Sequence, residues 1–261
     1  MPEYIVCQPK SLPKDALVAA AKTAESINPL NHAPVQRLTQ LIPDFQPTPE
    51  HLAVVTTKYW GTTGVHLTVG FLDKPGADLR TRILEHMNAW ASYANVKFRY
   101  VKTDPQVRIA RVAGDGYWSY LGTDIQHIAT NEPTMNLDSF SMDTPESEYH
   151  RVVRHETGHT LGCPHEHMRA ELVAKIDPAK AIAYFERTQG WDEATVRAQV
   201  LTPIEEGSLW GTTHADPTSI MCYQIPGSIT KDGQPIIGGT DIDTSDQAFI
   251  ANVYPKKVRR S

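Results

Sequence analysis

A chain of 261 residues with 40% hydrophobic content is long enough to bury one sizeable core, as a single domain or as a domain with an extension. Its 25 basic and 30 acidic residues give a net charge of −5 with no long run of either sign, so it carries no electrostatic footprint for nucleic acid or an anionic membrane. Three cysteines, Cys7, Cys163 and Cys222, exclude a disulfide framework and leave room for one bridge and one free thiol.

The opening "MPEYIVCQPK" places Glu3 and Pro9 where a secretory signal needs a positive start and an apolar run of about 7 to 15 residues. No stretch is apolar enough to span a membrane. The expectation is a cytoplasmic protein, or one exported by a route that these residues do not reveal. Residues 11 to 27 read as a helix. "NPLNHAPVQRLTQLIPDFQPTP" follows with five prolines from Pro29 to Pro49 and reads as a connector.

From Thr57 the pattern changes. "VHLTVGF" puts Val65, Leu67, Val69 and Phe71 on one face at period two, a strand, and "ADLRTRILEHMNAWASYA" sets Leu79, Ile83, Met87, Trp90 and Ala94 at helical spacing. "VKFRYV" and "VRIARV" alternate again, and "QHIATNE" and "TMNLD" supply further short strand candidates. Downstream, "IDPAKAIAYFERTQG" has Asp177 as cap, Pro178 at the first helical position and Gly190 as terminator, while "DTSDQAFIANVYP" offers Thr244 and Gln247 as a capping box. The stretch between them, rich in Gly and Pro, reads as loop or hairpin. The class is α+β, a mixed sheet with helices.

The densest chemistry lies in "RHETGHTLGCPHEH", residues 154 to 167. His155 and His159, four apart on a helix, share one face with Cβ atoms about 5 to 6 Å apart. Both can donate to one metal ion at about 2.0 to 2.1 Å. Were the helix to continue, His165 would lie roughly 9 Å further along its axis at about 1.5 Å per residue, too far to join them. Gly162 allows the left-handed turn that ends a helix, and Pro164 forbids its resumption. His165 can then swing back to complete a three-histidine site with an open fourth position, the arrangement of catalytic zinc.

Glu156, about 100° around the helix from His155, reaches water at the metal rather than the metal. Zinc lowers the pKa of bound water from 15.7 to roughly 7, and a neighbouring carboxylate can take its proton and pass it to a leaving amine. HExxH alone arises by chance in roughly a few per cent of chains, and requiring Gly162 and His165 lowers that by a further factor of roughly several hundred. His167 lies past the turn and reads as a solvated or supporting residue, and Cys163 as a small packed side chain.

"HETGHTLGCPHEH" with "SIMCY" at 219 to 223 resembles the metzincin zinc peptidases, which pair HExxHxxGxxH with a methionine-containing turn. Glu166 directly after the third histidine and Tyr223 two places after Met221 resemble the astacin branch. The resemblance implies a zincin-type catalytic domain with an upper sheet-and-helix lobe and an irregular lower lobe. It implies one zinc held by His155, His159 and His165, Glu156 as general base and acid, and Met221 as the apolar floor. Tyr223 becomes a fifth ligand that swings off and donates to the oxyanion. Substrate is expected to add as an antiparallel strand, with "QHIATNEPTMNLD" as the nearest match for its partner.

Residues 1 to 50 then read as an N-terminal extension, a candidate prosegment with a Pro-rich linker, and 51 to 261 as the catalytic domain. Two readings of Cys7 stand. Its thiolate latches the open zinc position, or it is a small buried hydrophobe closing "YIVC", the commoner fate by roughly two to one. Glu166 likewise contacts a freed N-terminus, as in mature astacins, or hydrogen-bonds within its own chain. Astacins are usually secreted with paired disulfides, and this chain has too few cysteines for that pattern. The leading function is a zinc-dependent endopeptidase acting on protein or peptide. The alternatives are a zinc hydrolase of a non-peptide amide and a peptide-binding pseudopeptidase. Oligomeric state is not legible.

Overall fold

The computed structural model describes residues 7, 8, 10–41, 48, 49, 56–204 and 215–256. Its sheet has five strands, β1 (Val65–Phe71), β2 (Val96–Tyr100), β3 (Val107–Ala110), β4 (Tyr117–Ser119) and β5 (Met135–Leu137), in the order β2-β1-β3-β5-β4. All neighbours are parallel except β4, which runs antiparallel to β5 and forms one edge. Central β3 is buried at every position, as a strand covered on both faces must be. β1 alternates at its start, with Val65, Leu67 and Val69 inside.

The helices are α1 (Leu17–Ile27), α2 (Ala33–Leu41), α3 (Ala77–Met87), α4 (Arg154–Thr160), α5 (Pro178–Gln189) and α6 (Thr244–Val253), besides shorter turns. α3 carries Ile83 and Met87 into a core shared with Val69, Ile109, Met135 and Leu137 of the sheet. The apolar spacing past Met87 continues as a 3-10 stretch, Asn88–Ser92, which delivers Trp90 to the same core. A second core below gathers Ala181 and Phe185 of α5 with Trp191, Val196, Val200 and Ile225. Two lobes result, with α4 between them.

Several expectations need correction. "QHIATNE" is not a strand: Gly122–His127 is a 3-10 helix. The edge strand is instead β4, within "GYWSY". The connector is helical in its first half, because Pro29 opens a 3-10 turn and Pro34 falls in the first turn of α2, where a missing N–H costs nothing. Its later part, 42–47 and 50–55, lies outside the described residues. The cap of α6 is Asp243 with Asp246, one residue before the expected Thr244 and Gln247. The Asp243 carboxylate accepts the amides of both Ser245 and Asp246, and the Asp246 carboxylate accepts the Asp243 amide in return, which completes the box. The cap and terminator of α5 are as expected, with Asp177 accepting from the Lys180 amide and Gly190 left-handed at φ 67°.

The N-terminal helices are bound to the sheet lobe through Asn31, which is fully buried. Its amide donates to the carbonyls of Ala24 and Tyr59, and its Oδ1 accepts from the Tyr59 amide and the Thr57 hydroxyl, at 2.8 to 3.0 Å. A side chain with every polar atom paired holds two segments in register, and losing it would strand groups at about 1–3 kcal/mol each.

Candidate metal centre and cleft

α4 grows out of a helical run that begins at Glu146 and widens to π geometry over Tyr149–Val153, a local distortion common at functional sites. Within it His155 and His159 project from one face. Gly162 ends the helix at φ 98°, and a Cβ there would lie 2.9 Å from the Tyr59 ring, so the position needs glycine twice over. The chain reverses and returns His165 to the other two, as the spacing requires.

The Nε2 atoms of His155, His159 and His165 stand 3.0 to 3.1 Å from one another. His155 Nδ1 faces the Ile220 carbonyl at 2.6 Å and His159 Nδ1 faces the Cys163 carbonyl at 2.8 Å. A carbonyl can only accept, so both Nδ1 atoms carry the proton and both Nε2 atoms present lone pairs. Lone pairs pointed at one spot repel unless a cation sits among them. A tetrahedral site with bonds of about 2.0–2.1 Å would separate its nitrogens by about 3.3 Å, within a few tenths of the observed triangle. Burial holds all three imidazoles neutral, pushing His159 down to about 4 and His155 and His165 well below the ordinary range. The donor set fits zinc.

Met221 packs against α4. Gly158 in the interior of α4 leaves room for it, since a Cβ there would meet the Met221 sulfur at 2.4 Å. The Met221 carbonyl accepts from the Glu166 amide. Asp246 of α6 holds the preceding residues, accepting from the Ser219 hydroxyl at 2.7 Å and the Ile220 amide at 2.9 Å. Asp246 thus fixes the segment whose Ile220 carbonyl orients His155, a role the sequence did not reveal. Glu166 Oε1 accepts from the Asp216 amide at 3.0 Å, a bond within its own chain. His167 is wholly buried rather than solvated, and Cys163 is a packed small side chain.

Glu156 is buried, with no hydrogen-bond partner for Oε1 among the described residues and Oε2 3.5 Å from the Cys7 sulfur. Burial pushes its carboxyl up to about 8, with the Cys7 thiol and Arg151 pulling the other way. A buried oxygen with no partner among the described residues, beside three converging ring nitrogens, is what a water-activating base needs around a metal site.

Cys7 is buried, and it lies beside the histidines. It belongs to the lower core, and its sulfur lies with the three imidazoles in one group whose ligand atoms are all within 4.8 Å. The Tyr223 hydroxyl donates to the Cys7 carbonyl rather than pointing into that group. Burial raises the Tyr223 phenol well above its ordinary range, so it stays a donor. Cys7 pairs with Tyr117 in parallel fashion, and the Gln8 amide donates to the Tyr117 carbonyl at 2.9 Å. The cavity left around Cys7, Tyr117, Arg151, Glu156 and Tyr223 is about 30 Å³, enough to hold water but not a substrate side chain.

Three comparisons bear on this geometry. Residues 55–181 match the family model for astacin, a peptidase family. The structure of myroilysin superposes with a TM-score of 0.72 at 31% identity, covering 77% of this chain and 97% of that one. The chain belongs to the astacin family. Among curated astacin-like proteins, zinc metalloproteinase nas-27 of Caenorhabditis elegans is 36% identical over 95 residues, 35% of this chain and 19% of that protein. High choriolytic enzyme 1, a hatching enzyme zinc-protease from the medaka fish Oryzias latipes, shares the fold at 18% identity, with a TM-score of 0.51 over 77% of this chain and 96% of that one. The astacin fold accounts for the two lobes, and a zinc metalloendopeptidase is the function class these relatives support; a non-peptide amidase is not favoured.

Proposed function

We propose that the chain is a zinc-dependent endopeptidase, that His155, His159 and His165 hold the metal, and that residues 1 to 50 act as an inhibitory prosegment with Cys7 as its latch. The observation that carries the metal assignment is the convergence of three Nε2 atoms to 3.0–3.1 Å, with the Nδ1 atoms of His155 and His159 each facing a backbone carbonyl. Bound zinc supplies Lewis acidity, polarising a substrate carbonyl and acidifying water. The chain's own groups do the rest. Glu156 takes a proton from the attacking water and hands it to the leaving nitrogen. Tyr223, once freed from the Cys7 carbonyl, donates to the developing oxyanion; removing such a donor costs about 10² to 10³ in turnover. Met221 keeps the floor apolar and dry.

Support for the latch comes from direction as well as distance. An astacin substrate is expected antiparallel to the edge strand, β4. The segment at Cys7 runs parallel to it, so the segment fills the cleft with its backbone polarity reversed. Its sulfur shares one group with the three imidazoles, all ligand atoms lying within 4.8 Å of one another, and its carbonyl accepts from the Tyr223 hydroxyl. Protein or peptide is the substrate class.

The test is a comparison of the full chain with its Cys7→Ala variant on a denatured protein mixture. The latch predicts a rise in activity of more than tenfold in the variant, with about one zinc per chain in both. Fragments must vanish with chelator and with Glu156→Ala. A variant no more active than the parent removes the latch. Intact substrate at full zinc occupancy in Cys7→Ala removes the peptidase.

A further inference from the structure

His167 belongs to none of the roles above, yet it is wholly buried against the residue that completes the cleft. Its ring lies 3.8 Å from that of Tyr223, at an interplanar angle of 16°, a face-to-face stack. The register comes from the backbone: the Glu166 amide donates to the Met221 carbonyl, which sets the residue after Glu166 beside the residue two after Met221. His167 Nε2 is 2.9 Å from the Gln199 carbonyl and must donate to it, so the ring is tied at one corner to the lower lobe. Its Nδ1 has no hydrogen-bond partner among the described residues, so the second nitrogen does not explain the burial. Tyr223 also touches a proposed metal ligand, with its ring centroid 4.3 Å from that of His165 at 58°. The phenol is therefore bordered by His165 on one side and lies flat on His167.

We infer that His167 is the positioning residue for Tyr223, the plate that sets the plane in which the phenol swings between the Cys7 carbonyl and the substrate oxyanion. The inference rests on the oxyanion role given to Tyr223 above. A ring held on one face loses fewer orientations than a free one when it must present its hydroxyl, and an oxyanion donor contributes only when it is already aimed. His167 touches neither substrate nor metal in this account.

Two variants isolate the ring. His167→Phe and His167→Leu both surrender the bond to Gln199, and only the first keeps an aromatic face. Measured in the Cys7→Ala chain, His167→Leu is expected to lower kcat about 2- to 10-fold relative to His167→Phe, with KM and zinc content alike in the two. In a Tyr223→Phe background the same exchange is expected to change kcat by less than about twofold, because a plate with no hydroxyl to aim has nothing left to contribute. Equal kcat for the Phe and Leu variants, or a loss of the same size in the Tyr223→Phe background, overturns the inference and leaves the role of Tyr223 standing. A Tyr223→Phe chain as active as its parent overturns both. If His167→Leu does not fold, His167→Gln, which keeps a donor for Gln199 without the ring, takes its place and is expected to show the same loss.

Discussion

Two clusters each take two members from the helical run that begins at Glu146, His155 and His159 for one and Glu146 and His150 for the other, and they differ in what surrounds them. His155, His159 and His165 have backbone carbonyls behind two of their rings, and no guanidinium or ammonium bonded to their Nε2 atoms among the described residues. His86, Glu146 and His150 also bring their ligand atoms within 4.8 Å of one another, but guanidinium groups are already there. Arg82 donates to Glu146 at 2.7 Å, and Arg154 reaches His86 Nδ1 at 3.4 Å and His150 Nε2 at 3.2 Å. Asp241 then takes His150 Nδ1 at 2.8 Å and Arg154 at 2.5 Å. The first cluster is short of positive charge at its centre; the second is supplied with it. Residue type alone would rank both as metal sites, and the donor inventory separates them.

The comparison breaks most visibly if the wrong cluster takes metal. His159→Ala is expected to drop zinc from about one per chain to near zero, by elemental analysis after desalting, and to abolish peptide hydrolysis. His150→Ala should leave zinc unchanged. A second equivalent retained by the parent chain would contradict the division.

Next in size is the base. In the Cys7→Ala chain, Glu156→Ala should retain zinc while kcat falls by about 10² to 10⁴, measured on a fluorogenic peptide. Loss of zinc with the activity would instead make Glu156 part of the metal's support.

Packing beneath the first cluster comes third. Gly158→Ala pushes a methyl into the Met221 sulfur, and overpacking of this kind costs about 1–3 kcal/mol, readable as a lower urea midpoint. An unchanged midpoint would mean that the methionine floor is slack.

The smallest effect belongs to the second cluster. Burial raises the Asp241 carboxyl, but hydrogen bonds from His150, the Ile242 amide and Arg154 outweigh it and hold the group below the ordinary range. A depressed carboxyl contributes stability above its unfolded pKa of about 3.9, and that contribution fades as pH falls through the lower folded value. Asp241 is 42% exposed, so screening limits the term to about 1 kcal/mol or less. The Tm gap between parent and Asp241→Asn should be present at pH 5 and shrink below pH 3. A gap that widens in acid has the wrong sign.

Much of the first cluster was legible because it is local. The four-residue spacing, the glycine and the proline lie within eleven positions, His155 to His165, and each dictates one backbone event. The interior Gly158 also carried a signal, since glycine inside a helix costs about 1 kcal/mol and implies close packing. What escaped was distant or short. Cys7 meets Glu156 across 149 residues; the sequence leaves two readings of it open, and nothing near Cys7 chooses between them. β4 has three residues, too few for an alternation to register, so the sequence points for the cleft edge to 126–138, which holds the end of a 3-10 helix, a turn and β5, the strand paired with β4. The first half of the connector is helical because its prolines fall in opening turns, a distinction that composition does not make. Asp246 matters through its bonds to Ser219 and Ile220, and a count of capping patterns misplaced the cap by one residue.

The most direct test of the central claim is zinc K-edge absorption spectroscopy on the full chain. The account predicts three nitrogen scatterers at about 2.0–2.1 Å and one sulfur at about 2.3 Å, with the sulfur replaced by a light scatterer in Cys7→Ala. A sulfur shell that persists in that variant, or a parent spectrum with fewer than three nitrogens, would contradict it.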